Sequence, residues 1–461
     1  MTRFGSISDP PAGFVLTGVR VVDPESGTDA VRDLAVLDGR LAPVGDADGS
    51  IPRLDASGLV AAPAFCDLHT HLREPGGESS ETITSGTRAA AHGGYATVCA
   101  MPNTEPALDE PARVAWVTSC AADAAARVRV VAAATVGRAG DQPVAVEELA
   151  ASGVVGFSDD GAAIGSPRLA RALMTYLAPL GLPLVEHAED PQLAPGALMR
   201  GGQTATRLGL AGWPASAELT VVERDIALAA ETGARLHLTH LSTAASLEAV
   251  RRARARGLPV SCDVTPHHLA MTDAWVAGDR TFAWDEATRA PDAFEAALDP
   301  TLAYDGRTRV NPPLPSRDDA LALLAGVADG TVDAIATDHA PHPPERKAVE
   351  FASAAPGMIG LETALGVGLS AVASGRLELM TLVAALSTRP AGLIGEARAL
   401  AEGEPVDLVV FDARQTWRVE PESLASRSAN TPLIGMELPG VVRLTVAGGR
   451  VTYAHDLAPL S

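Results

Sequence analysis

From about residue 63 onward, short apolar runs rich in Val and Ala alternate with longer stretches whose apolar positions recur at helical period, as in SLEAVRRARARG at 246–257. The apolar runs predict strands at 65–71, 97–101, 130–135, 154–158, 184–187, 236–240, 260–264 and 335–338, each followed by a helical pattern. Eight strands alternating with helices predict an α/β fold, a (β/α)8 TIM-like barrel whose functional residues gather at the C-terminal ends of its strands. A doubly wound open sheet is the competing arrangement. The two ends of the chain read differently. FVLTGVRVVD and DLAVLDGRLAPVG near the start, and VDLVVFDARQTWRVE and VVRLTVAGGRVTYA after residue 400, are β-rich pieces broken by Gly, Asp and Pro. They predict a small β-sandwich domain built from both termini, residues 1–62 and 400–461, with the barrel at 63–399 inserted between them. The segment 271–310 is too long for a plain loop and predicts a lid or surface insertion, with a helix in DEATRAPDAFEAAL.

Composition narrows the function. Of 461 residues, 57 are acidic and 36 basic, a formal charge of −21 that excludes a general phosphate-backbone binder and argues against docking on an anionic membrane. No apolar stretch reaches the length of a membrane span, and MTRFGSISDPPAGF lacks the apolar core of a secretory signal, so a cytoplasmic protein is expected. Cys66, Cys99, Cys120 and Cys262 form no CxxC pair and read as reduced core residues. The only lysine in the chain is Lys347; every other basic residue is arginine. Chemistry that needs a lysine must use that one.

The predicted strand ends carry the reactive side chains. In CDLHTHLREPGG, alternation places His69, His71 and Arg73 on one face, with Leu68, Thr70 and Leu72 on the other. FSDDG contributes Asp159 and Asp160, VEHAED contributes His187 and Asp190, HLTH contributes His240 on the face opposite His237, and ATDHAPH contributes Asp338, His339 and His342. Eight of the eleven histidines fall at or just after strand ends, His267 and His268 included. Four histidines and two carboxylates converging at one barrel mouth can hold two divalent ions.

These residues, with MPNT at 101–104, TPHHL at 265–269 and NPPL at 311–314, occur in an order that resembles the class I dihydroorotases of the amidohydrolase superfamily, over nearly the whole chain. The resemblance implies reversible, zinc-dependent cyclisation of N-carbamoyl-L-aspartate to L-dihydroorotate in pyrimidine biosynthesis. It implies that His69, His71 and Asp338 hold one zinc and that His187 and His240 hold a second. A carboxylate of FSDDG would bridge them, Asp160 favoured over Asp159. Asp338 would also be the catalytic acid/base. Arg73, Asn103 and His342 would take the substrate's carboxylate, with Asn311, Pro356 and Gly357 around the ring, and His71 would also bind substrate. A homodimer is the default assembly, and association with aspartate carbamoyltransferase is a further expectation from the family.

Hydantoinases, dihydropyrimidinases and allantoinases share this implied fold but bridge their metals through a carboxylated lysine on the fourth strand. This chain has none there, which sets those activities behind. A third alternative, a metal-free scaffold for aspartate carbamoyltransferase, would have lost ligands, and none of the six is missing. Several neighbours read as structural. Asp159 is expected to hydrogen-bond rather than ligate, His237 to be a satisfied histidine facing the helices, and His267 and His268 to shape the mouth. His339 is expected to be structural, Asp190 to orient His187 or cap a helix, and Glu74 and Glu78 to be loop charges. Pro356, where the resemblance implies another residue, makes the backbone contact at Gly357 the least secure element.

Overall fold

The computed structural model describes residues 13–285, 299–396 and 399–457. The chain opens with β1 (Gly13–Asp23), β2 (Thr28–Leu37), β3 (Arg40–Ala42), β4 (Arg53–Asp55) and β5 (Val60–Pro63). β6 (Phe65–Thr70), β7 (Tyr95–Ala100), β8 (Arg127–Ala133), β9 (Gly156–Ser158) and β10 (Leu184–Glu186) follow. A small ribbon of β11 (Met199–Arg200) and β12 (Gly212–Trp213) precedes β13 (Leu236–Leu238), β14 (Val260–Val264) and β15 (Ala334–Ile335). The chain ends in β16 (Leu408–Arg418), β17 (Glu437–Ala447) and β18 (Arg450–Ala454).

Strands β6 to β10 and β13 to β15 pair in sequence order and in parallel. A parallel bridge between Thr70 and His339, with the His71 amide donating to the His339 carbonyl at 2.9 Å, joins the last segment to the first. The sheet therefore returns on itself, and the open doubly wound alternative is excluded. Local signals start the helices between strands. Thr82 and Ser85 cap Ile83–His92 reciprocally, Ser166 and a following proline start Pro167–Leu177, Thr243 caps Ala244–Ala255, and Ser316 caps Arg317–Asp329. Glu74, expected to be a loop charge, accepts the Ile83 amide at 2.8 Å and so helps hold the first of these helices.

The barrel floor is apolar: Cys66, Leu68, Cys99, Met101, Val131, Val185, Ala334 and Ala336 pack together and against Ala391 of the short helix Thr388–Leu393. Leu68 thus lies inside, not on the outer face that alternation assigned it. The register between β6 and β7 shifts between Asp67 and Thr70, which breaks the period of two. His237 is likewise inside: it stands in register with Val185, and its ring lies 2.8 Å from both Ser261 Oγ and Asp263 Oδ2. It is a satisfied buried histidine, but it does not face the helices.

The remaining strands form one sheet in the order β18-β17-β16-β5-β1-β2-β3, with β4 on β1, so both ends of the described chain contribute. One face encloses its own cluster, with Phe14, Leu16, Val21, Leu408, Val410 and Leu444. The other meets the barrel, where Phe411 packs near Phe65 and Arg127 forms a fork with Asp407. Gly94, at a φ of +92°, sits where a Cβ would come 2.8 Å from Val409 and 3.0 Å from Phe65. Within 271–310, Trp275, Phe282 and Trp284 are buried and pack on one another. The helix expected at 285–298 lies outside the described residues beyond Asp285. Cys66, Cys99 and Cys262 are buried, whereas Cys120 is exposed, contrary to its expected core position. No helix among the described residues is long and apolar enough to cross a membrane.

Candidate metal centre

Six side chains from five strand ends meet at the barrel mouth, and all are buried. His69 lies on β6 and His71 just past it; Asp160 follows β9, His187 follows β10, His240 follows β13 and Asp338 follows β15. His69 Nε2 is 3.3 Å from Asp160 Oδ1 and 3.6 Å from Asp338 Oδ1. His71 Nε2 is 2.9 Å from Asp338 Oδ1 and 3.6 Å from Asp160 Oδ2. On the other side, His187 Nδ1 and His240 Nε2 each stand 3.7 Å from Asp160 Oδ1 and 2.9 Å from one another. Two groups capable of holding a cation result, His69–His71–Asp160 and Asp160–His187–His240, and Asp160 belongs to both.

Three of the residues here reach their places through left-handed backbone. Arg73, His240 and Asp338 have φ of +61°, +39° and +47°, a region costly for residues with a Cβ. The turn at His240 redirects its side chain into the mouth although β13 ends at Leu238 and His237 also points inward. Arg73 has left the strand, so its approach to the site comes from a turn and not from alternation.

Asp159 is engaged elsewhere. Its Oδ1 accepts the amides of Ala134 and Thr135, both at 3.0 Å, and its Oδ2 accepts the Thr135 hydroxyl. Asp160 Oδ1 and His69 Nε2, though buried, have no hydrogen-bond partner among the described residues. Buried polar atoms are seldom left so, and an imidazole nitrogen facing a carboxylate oxygen that neither satisfies is what a missing cation between them would leave. The donor set of imidazoles and carboxylates suits zinc and similar divalent ions. Burial disfavours the charged forms, yet Asp160 and Asp338 together raise His69 to about 9, and the Asp160 and Glu189 carboxylates raise His187 to about 10. Burial also pushes the Asp160 carboxyl up, but the surrounding histidines outweigh it and hold Asp160 well below the usual range. Protons held this firmly between histidine and carboxylate are those a bound cation would displace.

The substrate-side residues lie around this centre. The Asn103 amide is shared: Oδ1 lies 2.8 Å from His71 Nδ1, and Nδ2 donates to Asp160 Oδ2 at 3.2 Å. Arg73 donates to the Pro341 carbonyl at 3.2 Å, and its Nη2 lies 3.4 Å from His342 Nε2, which in turn is 2.8 Å from the Pro356 carbonyl. Burial pushes Arg73 down to about 10, with Asp338 and Asp160 opposing. The Gly357 amide donates to the Arg309 carbonyl at 2.9 Å. His339 is buried beside Glu81 and accepts the Gly360 and Leu361 amides, away from the cluster.

Sequence reasoning missed three supports. Glu189 lies 3.3 Å from His187 Nε2 and accepts from Asn311 Nδ2 at 2.7 Å; it is two residues past His187, whereas Asp190 turns away to accept the Gln192 amide. Thr239 Oγ1 sits 2.7 Å from His69 Nδ1 and donates to Asp263, which also accepts the His240 amide at 2.6 Å. Alternation along β14 already carried a signal for Asp263, since it shares a face with Ser261.

Residues 58–246 match the model of the dihydro-orotase-like family. The chain is 44% identical over 450 residues to a dihydroorotase of Anaeromyxobacter dehalogenans (strain 2CP-C), covering 96% of this chain and 98% of that protein. It is 40% identical over 444 residues to a dihydroorotase of Pelotomaculum thermopropionicum, covering 95% and 98%. Among solved structures it is similar to the L-hydantoinase of Arthrobacter aurescens, with a TM-score of 0.79 at 23% identity over 97% of both chains. The dihydropyrimidinase of Brevibacillus agri gives 0.76 at 20% identity over 96% of both. At such identities the likeness is one of fold alone, while near-complete coverage by the sequence relatives carries the finer grouping. The chain belongs to the dihydroorotase family.

Proposed function

We propose that the chain is a class I dihydroorotase that interconverts N-carbamoyl-L-aspartate and L-dihydroorotate in pyrimidine biosynthesis, with two zinc ions at the Asp160 centre. The observation that carries the reading is Asp160: one buried carboxylate within reach of two histidine pairs, in a chain whose sole lysine stands far along the sequence. A lysine-bridged relative could not be built from these residues. His69, His71 and Asp338 would hold one ion and His187 and His240 the other, with Asp160 common to both groups. When bound, the ions would lower the pKa of water and stabilise charge on the scissile carbonyl oxygen. Asp338, beside His71, takes a proton from the attacking water and returns it to the leaving ring nitrogen. Arg73, whose planar fork matches a carboxylate, takes the substrate's carboxylate with Asn103 and His342. Asn311, Pro356 and Gly357 border the ring.

The test is direct. Protein reconstituted with zinc should convert both compounds, prefer dihydroorotate to dihydrouracil, and contain close to two zincs per chain. Failure in both directions, or a preference for dihydrouracil, would overturn the assignment, and a chain that binds no metal would point to the scaffold alternative. We further infer a division into a composite β-sandwich domain, 1–62 with 400–461, and a barrel domain, 63–399, in a cytoplasmic homodimer. Association with aspartate carbamoyltransferase follows from the family and is read by co-elution in size-exclusion chromatography.

A further inference from the structure

The chain's only lysine is buried, and the mechanism above leaves it unused. Lys347 ends the short helix Pro344–Lys347, inside the segment that runs from Ala340 to Met358. The ends of that segment pair, the Ala340 amide donating to the Met358 carbonyl at 2.8 Å. The ammonium donates to three carbonyls: Ala355 at 2.6 Å, Gly357 at 2.9 Å and Arg309 at 3.1 Å. Its three N–H groups are thereby matched one to one, and among the described residues it forms no ion pair. The backbones are also in close contact, because a Cβ on Gly306 would lie 2.4 Å from the Lys347 carbonyl.

These three carbonyls belong to two segments that border the proposed substrate pocket. Arg309 lies two residues before Asn311. Ala355 and Gly357 flank Pro356, whose carbonyl lies 2.8 Å from His342 beside Arg73. We propose that Lys347 is a positioning residue for the substrate: by binding these carbonyls it sets the distance between the approach to Asn311 and the loop that carries His342 and Pro356. The inference rests on the dihydroorotase reading for the identity of the substrate, not for the geometry. A buried ammonium is costly unless its hydrogen bonds are directed and complete. Burial pushes Lys347 down to about 7, with Asp305 opposing and Arg309 and Arg307 adding to the fall. An apolar side chain of similar length would avoid that cost and fill the space, but would leave the Ala355 carbonyl without its donor. It would also take one of two donors from Arg309, which also accepts the Gly357 amide, and from Gly357, which also accepts from Asn430 Nδ2. Lys347 makes no hydrogen bond to the metal-centre residues or to Arg73; it acts through the loop and through its charge, which helps to lower His342.

The test compares the zinc-loaded wild type with Lys347→Met, which removes every donor, and Lys347→Gln, which returns two N–H groups. In each, kcat and KM for dihydroorotate, zinc content, and amide hydrogen exchange across 340–358 are measured. For Lys347→Met we expect KM to rise roughly tenfold or more, with kcat and zinc content little changed and exchange faster in 340–358 than elsewhere. Lys347→Gln should fall between Met and wild type. Should the Met variant not fold, the Gln variant carries the same readouts. Unchanged KM and unchanged exchange in 340–358 overturn the proposal, as does a loss confined to kcat or to zinc. If the wild type itself fails to turn over dihydroorotate, the functional reading falls, and the exchange data alone decide whether Lys347 holds the loop.

Discussion

Asp338 stands where one carboxylate meets His69 of β6 and His71 just past it, 2.9 Å from His71 Nε2 and 3.6 Å from His69 Nε2. Burial alone would raise its pKa, but the His71 hydrogen bond and the charges on the histidines hold it below the usual carboxylate range. Under the proposed assignment it is ionised and ready to accept a proton in the hydrolytic direction. Asp338→Asn keeps one coordinating oxygen and removes the basic site, so turnover should fall by about 10²-fold or more while zinc content, read by elemental analysis, largely persists. In the wild type, hydrolysis should rise and cyclisation fall with increasing pH; parallel profiles would place the proton elsewhere. His267 yields a second expectation. It is buried, its Nε2 has no partner among the described residues, and burial pushes it down to about 4. An unfolded histidine titrates near roughly 6.5. Between these values the unfolded state holds a proton that the folded state lacks, so stability falls as pH drops through this window. His267→Gln should flatten that fall by about 3 kcal/mol, measured by urea unfolding at pH values across it.

At the scale of elements, strand ends do the positioning, and they do it by departing from regular strand geometry. Thr239 and Asp263 tie β13 and β14 to the β6 histidine: Thr239 sits against His69 Nδ1, and Asp263 holds Thr239 and the left-handed His240 amide. One carboxylate thus steadies a residue from each cation group. Such outer contacts fix ring orientation and tune affinity. Thr239→Val preserves shape and removes the hydroxyl, and should weaken metal binding by about 10- to 100-fold without unfolding the chain. Competition with a chromophoric chelator measures the first and circular dichroism the second. Retained affinity would show that His69 needs no such brace. The element pattern itself was legible from sequence, because apolar runs and helical periods mark what is buried. The exact strand ends were not. β15 contains only Ala334 and Ile335, and β6 shifts register between Asp67 and Thr70, since the chain there follows site geometry and not the pleat.

Across the whole molecule, the centre joins parts of the chain as far apart as His69 and Asp338. A cation bound there would link five strand ends and engage Asp160 Oδ1 and His69 Nε2, which are buried and have no hydrogen-bond partner among the described residues. Metal removal by dipicolinate should therefore lower the apparent Tm by several degrees, and added zinc should restore it. Metal at about 100 times its Kd stabilises by ~2.7 kcal/mol. Binding confined to the surface would leave Tm unmoved. The terminal sheet contributes no ligand; it buries the side of the barrel at Phe65, Phe411 and the Arg127–Asp407 fork.

The sequence by itself determined the barrel, the gathering of histidines and carboxylates at its strand ends and the lack of a lysine on its fourth strand, because these depend on periodicity and on which residue types exist to be used. Tertiary structure decided what depends on direction and distance. It separated Asp159, engaged by Ala134 and Thr135, from Asp160, common to both groups. It turned His237 inward to Asp263, placed Glu189 rather than Asp190 beside His187, and buried Lys347 among three carbonyls. Adjacent residues are indistinguishable to a count of two or of 3.6, and only a register shift or a left-handed turn, set by long-range packing, chooses between them.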